Sequence, residues 1–372
     1  MKKIYTLFSL LMFSCLYAQT TGSNIDGKIT NENGEPLAGA SIIATHEPTG
    51  STFNATSLDG GFFNITNVIP GGPYTLIISE MESQERTIAN INIDLGETFS
   101  VNISLSQGTM LSEVIVSENR SNSKGASTSI KSDKVKSIPT ITRNITDITR
   151  LVPQSNGNSA FAGASNRFNN YMVDGAAYNN NFGLGSAQFG GENPLSIEVF
   201  DQVQVDLSPV DMALSGFTGA AVNATTKSGS NIYKAEAYSY IQNDQMIGND
   251  PGIGKNVLRG VTFSGPILKD KIFFFANYEE YNYLLPAFSY GPSADGVGNG
   301  VTTSRVLESE LINIQTQMKN LYDYEPGLYG DNIPFANVGE RLNLRLDWNI
   351  NSKQKFFIRY NNFEGKEDIT QS

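Results

Sequence analysis

The strongest alternation of apolar and polar positions lies in the last third of the chain. Leu342, Leu344, Leu346, Trp348 and Ile350 alternate with Asn343, Arg345, Asp347 and Asn349; after Asn351-Ser352-Lys353-Gln354 the pattern resumes with Phe356, Ile358 and Tyr360 against Phe357, Arg359 and Asn361. Period-two spacing sends each set to its own face of a strand, so the stretch predicts a hairpin with one apolar and one polar face. An earlier pair of strands, 257–263 and 272–278, is joined through Gly265-Pro266-Ile267-Leu268-Lys269-Asp270-Lys271. Long two-faced strands with short turns are the pattern of a transmembrane β-barrel with an apolar outside and a polar lumen; a soluble sandwich alternates too. Between the hairpins, 290–300 is Gly-rich and loop-like. Within 306–322, Leu307, Leu311, Ile314, Met318 and Leu321 recur at helical spacing, which predicts a long extracellular excursion with one amphipathic helix whose apolar stripe packs locally.

The first third reads differently. From Ile25 to Leu105, short β-branched and aromatic runs are punctuated by Asn33-Gly34-Glu35-Pro36, Asp59-Gly60-Gly61 and Pro70-Gly71-Gly72-Pro73, the turn spacing of an all-β sandwich. Next comes a flexible entry and the short extended stretch Leu111-Ser112-Glu113-Val114-Ile115-Val116. An exposed β-prone segment is a hazard unless it is the first strand of the next domain or is meant to pair with a partner by strand addition. Residues 121–231 are rich in Gly, Ala, Ser and Asn, suiting a compact α+β module with a short helix over 145–152.

Composition narrows the chemistry. The 372 residues hold one His and one Cys. A zinc site needs three or four ligands and a Ser-His-Asp triad needs its His in place, so His46 is read as a loop residue and no metal, cofactor or catalytic site is expected. A hydrolytic carboxylate pair would be the remaining route, and no Asp/Glu pair stands out. The net charge of −11 offers no basic stripe for nucleic acid. Lys2 and Lys3 precede an apolar run ending at Leu16-Tyr17-Ala18, the layout of an export signal over 1–18 that is too short to span a membrane. Acylation at Cys15 is the alternative processing route.

Several segments carry family resemblances. The order Ile25-x-Gly27-x-Ile29, Asn33-Gly34-x-Pro36-Leu37-x-Gly39-Ala40, Thr56-x-x-Asp59-Gly60-x-Phe62 and Tyr74-x-Leu76 resembles the carboxypeptidase regulatory-like domain, a transthyretin-like β-sandwich, which implies a binding or spacer role, carbohydrate included, and no peptidase chemistry. Leu111, Glu113, Val114, Ile115 and Val116 resemble the TonB box of TonB-dependent outer-membrane receptors. The segment from Arg167 through Asn170 to Asp174-Gly175, with the later run Gly216, Gly219, Asn223 and Thr225-Thr226-Lys227-Ser228-Gly229, resembles the plug domain of those receptors. The Ser-Gly-Phe-Thr-Gly and Gly-Pro-Ile-x-Lys-Asp-Lys wordings are similar to the Oar-like branch. In that frame Arg167 and Asp174 would form ion pairs holding the plug to a barrel wall.

The expected architecture is therefore mainly β: a signal peptide (1–18), a sandwich (22–106), a TonB-box-like linker (107–118), an α+β plug (119–231) and the first strands of an incomplete antiparallel transmembrane β-barrel (232–372). Plugged transporters have about 22 strands and the last segment has room for about five, so an N-terminal part of a longer receptor is expected. The resemblance implies uptake of an unidentified ligand across a bacterial outer membrane, with no enzymatic step, the sandwich in the periplasm, and the TonB C-terminal domain and outer-membrane lipid as partners. A SusD-like partner is not indicated. The alternative is a surface adhesion or carbohydrate-binding protein anchored by a barrel.

Overall fold

The computed structural model describes residues 22–81, 83, 85–106, 114–116, 127–137, 143, 145–156, 160–179, 195–207, 217–243, 246, 255–286, 291–298, 303–326, 334–352 and 354–367. The expected signal segment, Leu111, Glu113, Gly216 and the final residues 368–372 lie outside them, as does the side chain of Arg167.

The chain is built mainly of strands. Those of the first third are β1 (Ser23–Asn31), β2 (Ser41–His46), β3 (Ser51–Thr56), β4 (Phe62–Val68), β5 (Gly71–Ser79), β6 (Arg86–Ile93) and β7 (Thr98–Leu105), followed by the short β8 (Val114–Val116). They form two sheets, β4-β1-β7 and β3-β2-β5-β6-β8. Alternation decides which side chains meet between them: Tyr74, Leu76 and Ile78 of β5 point inward against Ile25 and Ile29 of β1 and Phe63 and Ile65 of β4. Fully burying one such aliphatic side chain is worth roughly 1.5–3 kcal/mol. His46 corrects its reading as a loop residue: it closes β2, is buried, and lies 4.9 Å from the Tyr74 ring.

A second sheet system follows, with β9 (Ser127–Lys131), α1 (Ser132–Ser137), α2 (Ile145–Thr149), β10 (Asn170–Val173), β11 (Ala176–Ala177), β12 (Phe200–Asp206) and β13 (Ala221–Thr226). Its strand order is β11-β10-β13-β12-β9, with β10 and β13 parallel and β12 antiparallel to both neighbours. Val135 of α1 and Ile145 and Ile148 of α2 pack on Val173, Val203, Val205 and Val222, which gives this α+β module its own core.

The third sheet contains β14 (Lys234–Gln242), β15 (Asn256–Leu268), β16 (Ile272–Pro286), β19 (Pro334–Asn351) and β20 (Gln354–Glu367) in that order. It stays open among the described residues. Between β16 and β19 run β17 (Gly291–Ser293), β18 (Thr303–Leu307) and α3 (Glu308–Tyr322). Two expectations are corrected here. Residues 291–293 pair with β18 instead of forming only loop, and because β18 runs through Leu307 the helix starts at Glu308. None of the α3 side chains is fully buried: Leu307 and Leu311 of the predicted stripe are half-buried while Ile314, Met318 and Leu321 are exposed, so the stripe is packed only at its start among the described residues.

The chain clusters into two compact units. The first comprises 1–235, 262–276 and 343–361; the second comprises 236–261, 277–342 and 362–372. The second has its own internal tie: buried Glu279 accepts from Arg341 Nη1 at 2.6 Å and from the Tyr238 hydroxyl at 2.9 Å.

Candidate functional site: the contact of the α+β module with strands β19 and β20

The site is built around Asp174. It sits with Gly175 in the two-residue loop joining β10 to β11, both at positive φ (47° and 78°), which is what a type I′ hairpin loop requires and what Asp-Gly favours. The loop projects the carboxylate out of the sheet, where four donors meet it. Thr226 N and Oγ1, from the end of β13, donate to Oδ1 and Oδ2 at 2.9 and 2.6 Å. Arg345 Nη1 of β19 donates to Oδ1 at 3.2 Å, and Arg359 Nη1 of β20 donates to Oδ2 at 2.6 Å.

Both guanidiniums are held from further directions. Arg345 forks onto Asp347 through Nε and Nη2 at 3.0 and 2.8 Å, donates to the Thr226 carbonyl at 2.8 Å, and lies over the Phe357 ring. Arg359 lies over Tyr178 and donates from Nη2 to its hydroxyl at 3.0 Å. Asn361, in the amide orientation that satisfies its neighbours, accepts from Arg359 Nε at 3.2 Å and from the Tyr178 hydroxyl at 2.8 Å. Two arginines thus face two carboxylates, and the cluster is neutral as a whole. The side chain of Asp174 is only 5% exposed, and these partners face its carboxylate in place of water. Nearby, burial pushes the Asp201 carboxyl above the ordinary range, against the opposing pull of Lys227, Arg345, Lys234 and Lys131.

The opposite face of the same strands is apolar and open. Leu344, Trp348 and Ile350 of β19 and Phe356, Ile358 and Tyr360 of β20 are all exposed, while Arg345, Arg359 and Asn361 turn to the module.

The sandwich is fastened to both neighbouring parts of the first unit. At the turn after β2, the Pro48 carbonyl accepts from Asn231 N at 2.9 Å, and Ser51 Oγ accepts from Asn349 Nδ2 at 2.8 Å. Lys355 Nζ stands 3.4 Å from the centre of the Phe53 ring. After β6, Leu95 N donates to Gln202 Oε1 at 3.0 Å, and Asp94 pairs with Lys131 at 2.6 Å. His46, whose Nδ1 lies 2.8 Å from Thr49 Oγ1, has its pKa lowered to about 4 by burial and secondarily by the Lys355 charge.

The remaining residues singled out from sequence distribute as follows. Asn170 is buried and accepts from Asn179 Nδ2 at 2.7 Å, holding the strand that leads to Asp174. Gly219 passes so close to Asn169 that a Cβ would stand 2.3 Å from its Oδ1. Asn223 sits in β13 opposite Met172 and Gln204. Val114, Ile115 and Val116 form β8, in parallel register with Thr87, Ile88 and Ala89 of β6, in a different sheet from the Asp174 hairpin. Sequence reasoning did not single out Thr226 or Tyr178 as partners of Asp174. Only Arg345 and Arg359, as charges on the polar side of alternating strands, left a signal.

Comparison with known proteins adds the following. Residues 24–106 match the carboxypeptidase regulatory-like domain, and 225–320 match an outer membrane beta barrel domain. The chain is 26% identical over 299 residues to the TonB-dependent transporter Oar of Myxococcus xanthus, covering 72% of this chain and 27% of that protein. It thus spans about a quarter of the length of the curated relative it matches. Among solved structures it aligns with the siderophore receptor PirA from Acinetobacter baumannii (15% identity, 65% of this chain and 32% of that one, TM-score 0.43). It also aligns with the outer membrane transporter YddB from Escherichia coli (16% identity, 66% and 34%, TM-score 0.43).

Proposed function

We propose that this chain, a relative of TonB-dependent transporters of the Oar-like branch, is an outer-membrane receptor that takes up a ligand with energy delivered through TonB. The outer-membrane location rests on the barrel-domain match and on the transporter it resembles. The observation that carries the functional reading is the Asp174 cluster. It pins an α+β module to the polar face of two strands whose other face is apolar and exposed, the arrangement expected of a plug seated in a barrel wall. Among the described residues the charged contacts of the module with the third sheet fall on one hairpin, and contacts of that kind are ones that a pulling force can break. The matched relatives are a transporter and receptors, and no step here calls for covalent chemistry.

In this reading 119–231 is the plug and 111–116 is the strand offered to TonB. The sandwich lies in the periplasm, since it is fastened to Asn231, Asn349 and Lys355, close to the short turns at 269–271 and 351–354, and short turns mark the periplasmic rim of such barrels. The test is binding of a TonB C-terminal domain to the intact chain and to Val114→Pro, which removes a main-chain donor from the docking strand. Binding to the parent and a loss of at least tenfold in the variant supports TonB coupling. Equal binding would mean that TonB docks elsewhere than on 111–116, and no binding where a known receptor binds would move the chain to the class of barrel-anchored adhesins.

A further inference from the structure

Strand β8 is seated on the sandwich. In the order β3-β2-β5-β6-β8 it is the terminal strand, and without it β6 would present an open edge of unpaired main-chain groups. The seat is short, three register pairs (Thr87 with Val114, Ile88 with Ile115, Ala89 with Val116), and it is parallel. Parallel pairing is slightly weaker per residue than antiparallel pairing, so a three-residue ladder of this kind exchanges readily for another partner. These same residues are the core of the strand that resembles a TonB box.

We infer that the outer edge of β6, residues 87–89, is an intramolecular seat for 114–116 and that TonB must displace the strand from it in order to bind. Strand addition depends on main-chain hydrogen bonds. In an extended strand, successive residues direct those groups to opposite edges, so pairing with β6 occupies one edge of 114–116, and a TonB strand that adds by that edge has to take it from β6. The seat is also linked to the plug: β6 runs directly into the turn where Asp94 and Leu95 hold Lys131 and Gln202. The edge that keeps the docking strand is therefore fixed to the body that the strand would pull. This inference rests on the TonB reading above and adds to it a reason for the sandwich to be there.

The test uses the whole chain with Cys15→Ser, carrying Ala89→Cys and Val116→Cys at paired register positions. Adjacent strands lie about 4.8 Å apart, within the roughly 4.4–6.8 Å Cα window of a disulfide. The expected result is that the pair oxidises in the folded protein, that the oxidised form binds a TonB C-terminal domain at least tenfold more weakly than the reduced form, and that reductant restores binding. Failure of the pair to cross-link would overturn the seat. A cross-linked protein that binds TonB as well as the reduced one would overturn the competition, meaning that TonB adds to the free edge of β8. The Val116→Cys single variant reports the cost of that substitution alone. Should the reduced protein and the parent both fail to bind TonB, the TonB reading fails, while the cross-linking yield still reports on the seat.

Discussion

Asp174 gathers donors from β13, β19 and β20, two of them arginines 171 and 185 positions away in sequence. Asp174→Asn would leave two guanidiniums facing the single carboxylate of Asp347. A half-removed buried pair is destabilising by about 3 kcal/mol, so denaturant unfolding of the variant in detergent should show a loss of that order for the α+β module. Adding Arg359→Gln should return part of it, giving a double-mutant coupling of at least about 1 kcal/mol; additive effects would mean that the pair contributes nothing. His46 makes a different prediction. Its folded pKa, about 4, lies below the unfolded value of 6.5, so the neutral form is favoured in the fold. That stability is complete above pH 6.5 and is lost as pH falls toward 4, amounting to about 2 kcal/mol between pH 7.5 and 5. Unfolding curves of His46→Gln should lack this acid-sensitive component, and an unchanged pH profile would contradict it. The sequence showed Asp174 as half of an Asp-Gly turn, and Arg345 and Arg359 as charges on a polar strand face. It did not show that they meet, because nothing local encodes a contact across 171 residues. His46 was misread for a related reason: the turn residues after it mark the end of a strand, and burial there comes from the opposing Tyr74 ring.

At the level of elements, the β10–β11 hairpin sets the aim of the Asp174 carboxylate, and Gly175 at φ 78° allows its two-residue loop. Gly175→Ala places a Cβ in the left-handed region, at a cost of roughly 1–2 kcal/mol, and should weaken the Asp174 contacts along with the hairpin. The check is whether the destabilisation of Gly175→Ala shrinks in an Asp174→Asn background; full additivity would separate the turn from the cluster. Elements with one dominant local signal were legible: the β19 and β20 alternation, the β15–β16 turn, and the sandwich strands between Gly- and Pro-bearing turns. Helix α3 was legible as a helix through its apolar spacing. Its surroundings were not, since a stripe such as Ile314, Met318 and Leu321 reads the same in sequence whether or not a neighbour covers it. Residues 111–116 were legible as an extended segment that either opens the next domain or pairs with a partner, and in the fold 114–116 pair with the edge of β6.

For the whole molecule, the proposed receptor joins a sandwich, an α+β module and two-faced strands. The strand faces make opposite demands on substitution. Ile358→Arg, on the apolar face, should cost about 2–4 kcal/mol if that face meets lipid near mid-depth, read as reduced folding yield into vesicles relative to the parent. The most direct measurement uses Trp348, the sole tryptophan of the 372 residues, which is exposed on the apolar face of β19. With the chain folded into phosphatidylcholine vesicles, the account predicts that Trp348 fluorescence is quenched by brominated acyl chains and is insensitive to aqueous iodide. Quenching by iodide with no response to brominated lipid would mean that this face meets water, and would contradict the outer-membrane receptor at its foundation.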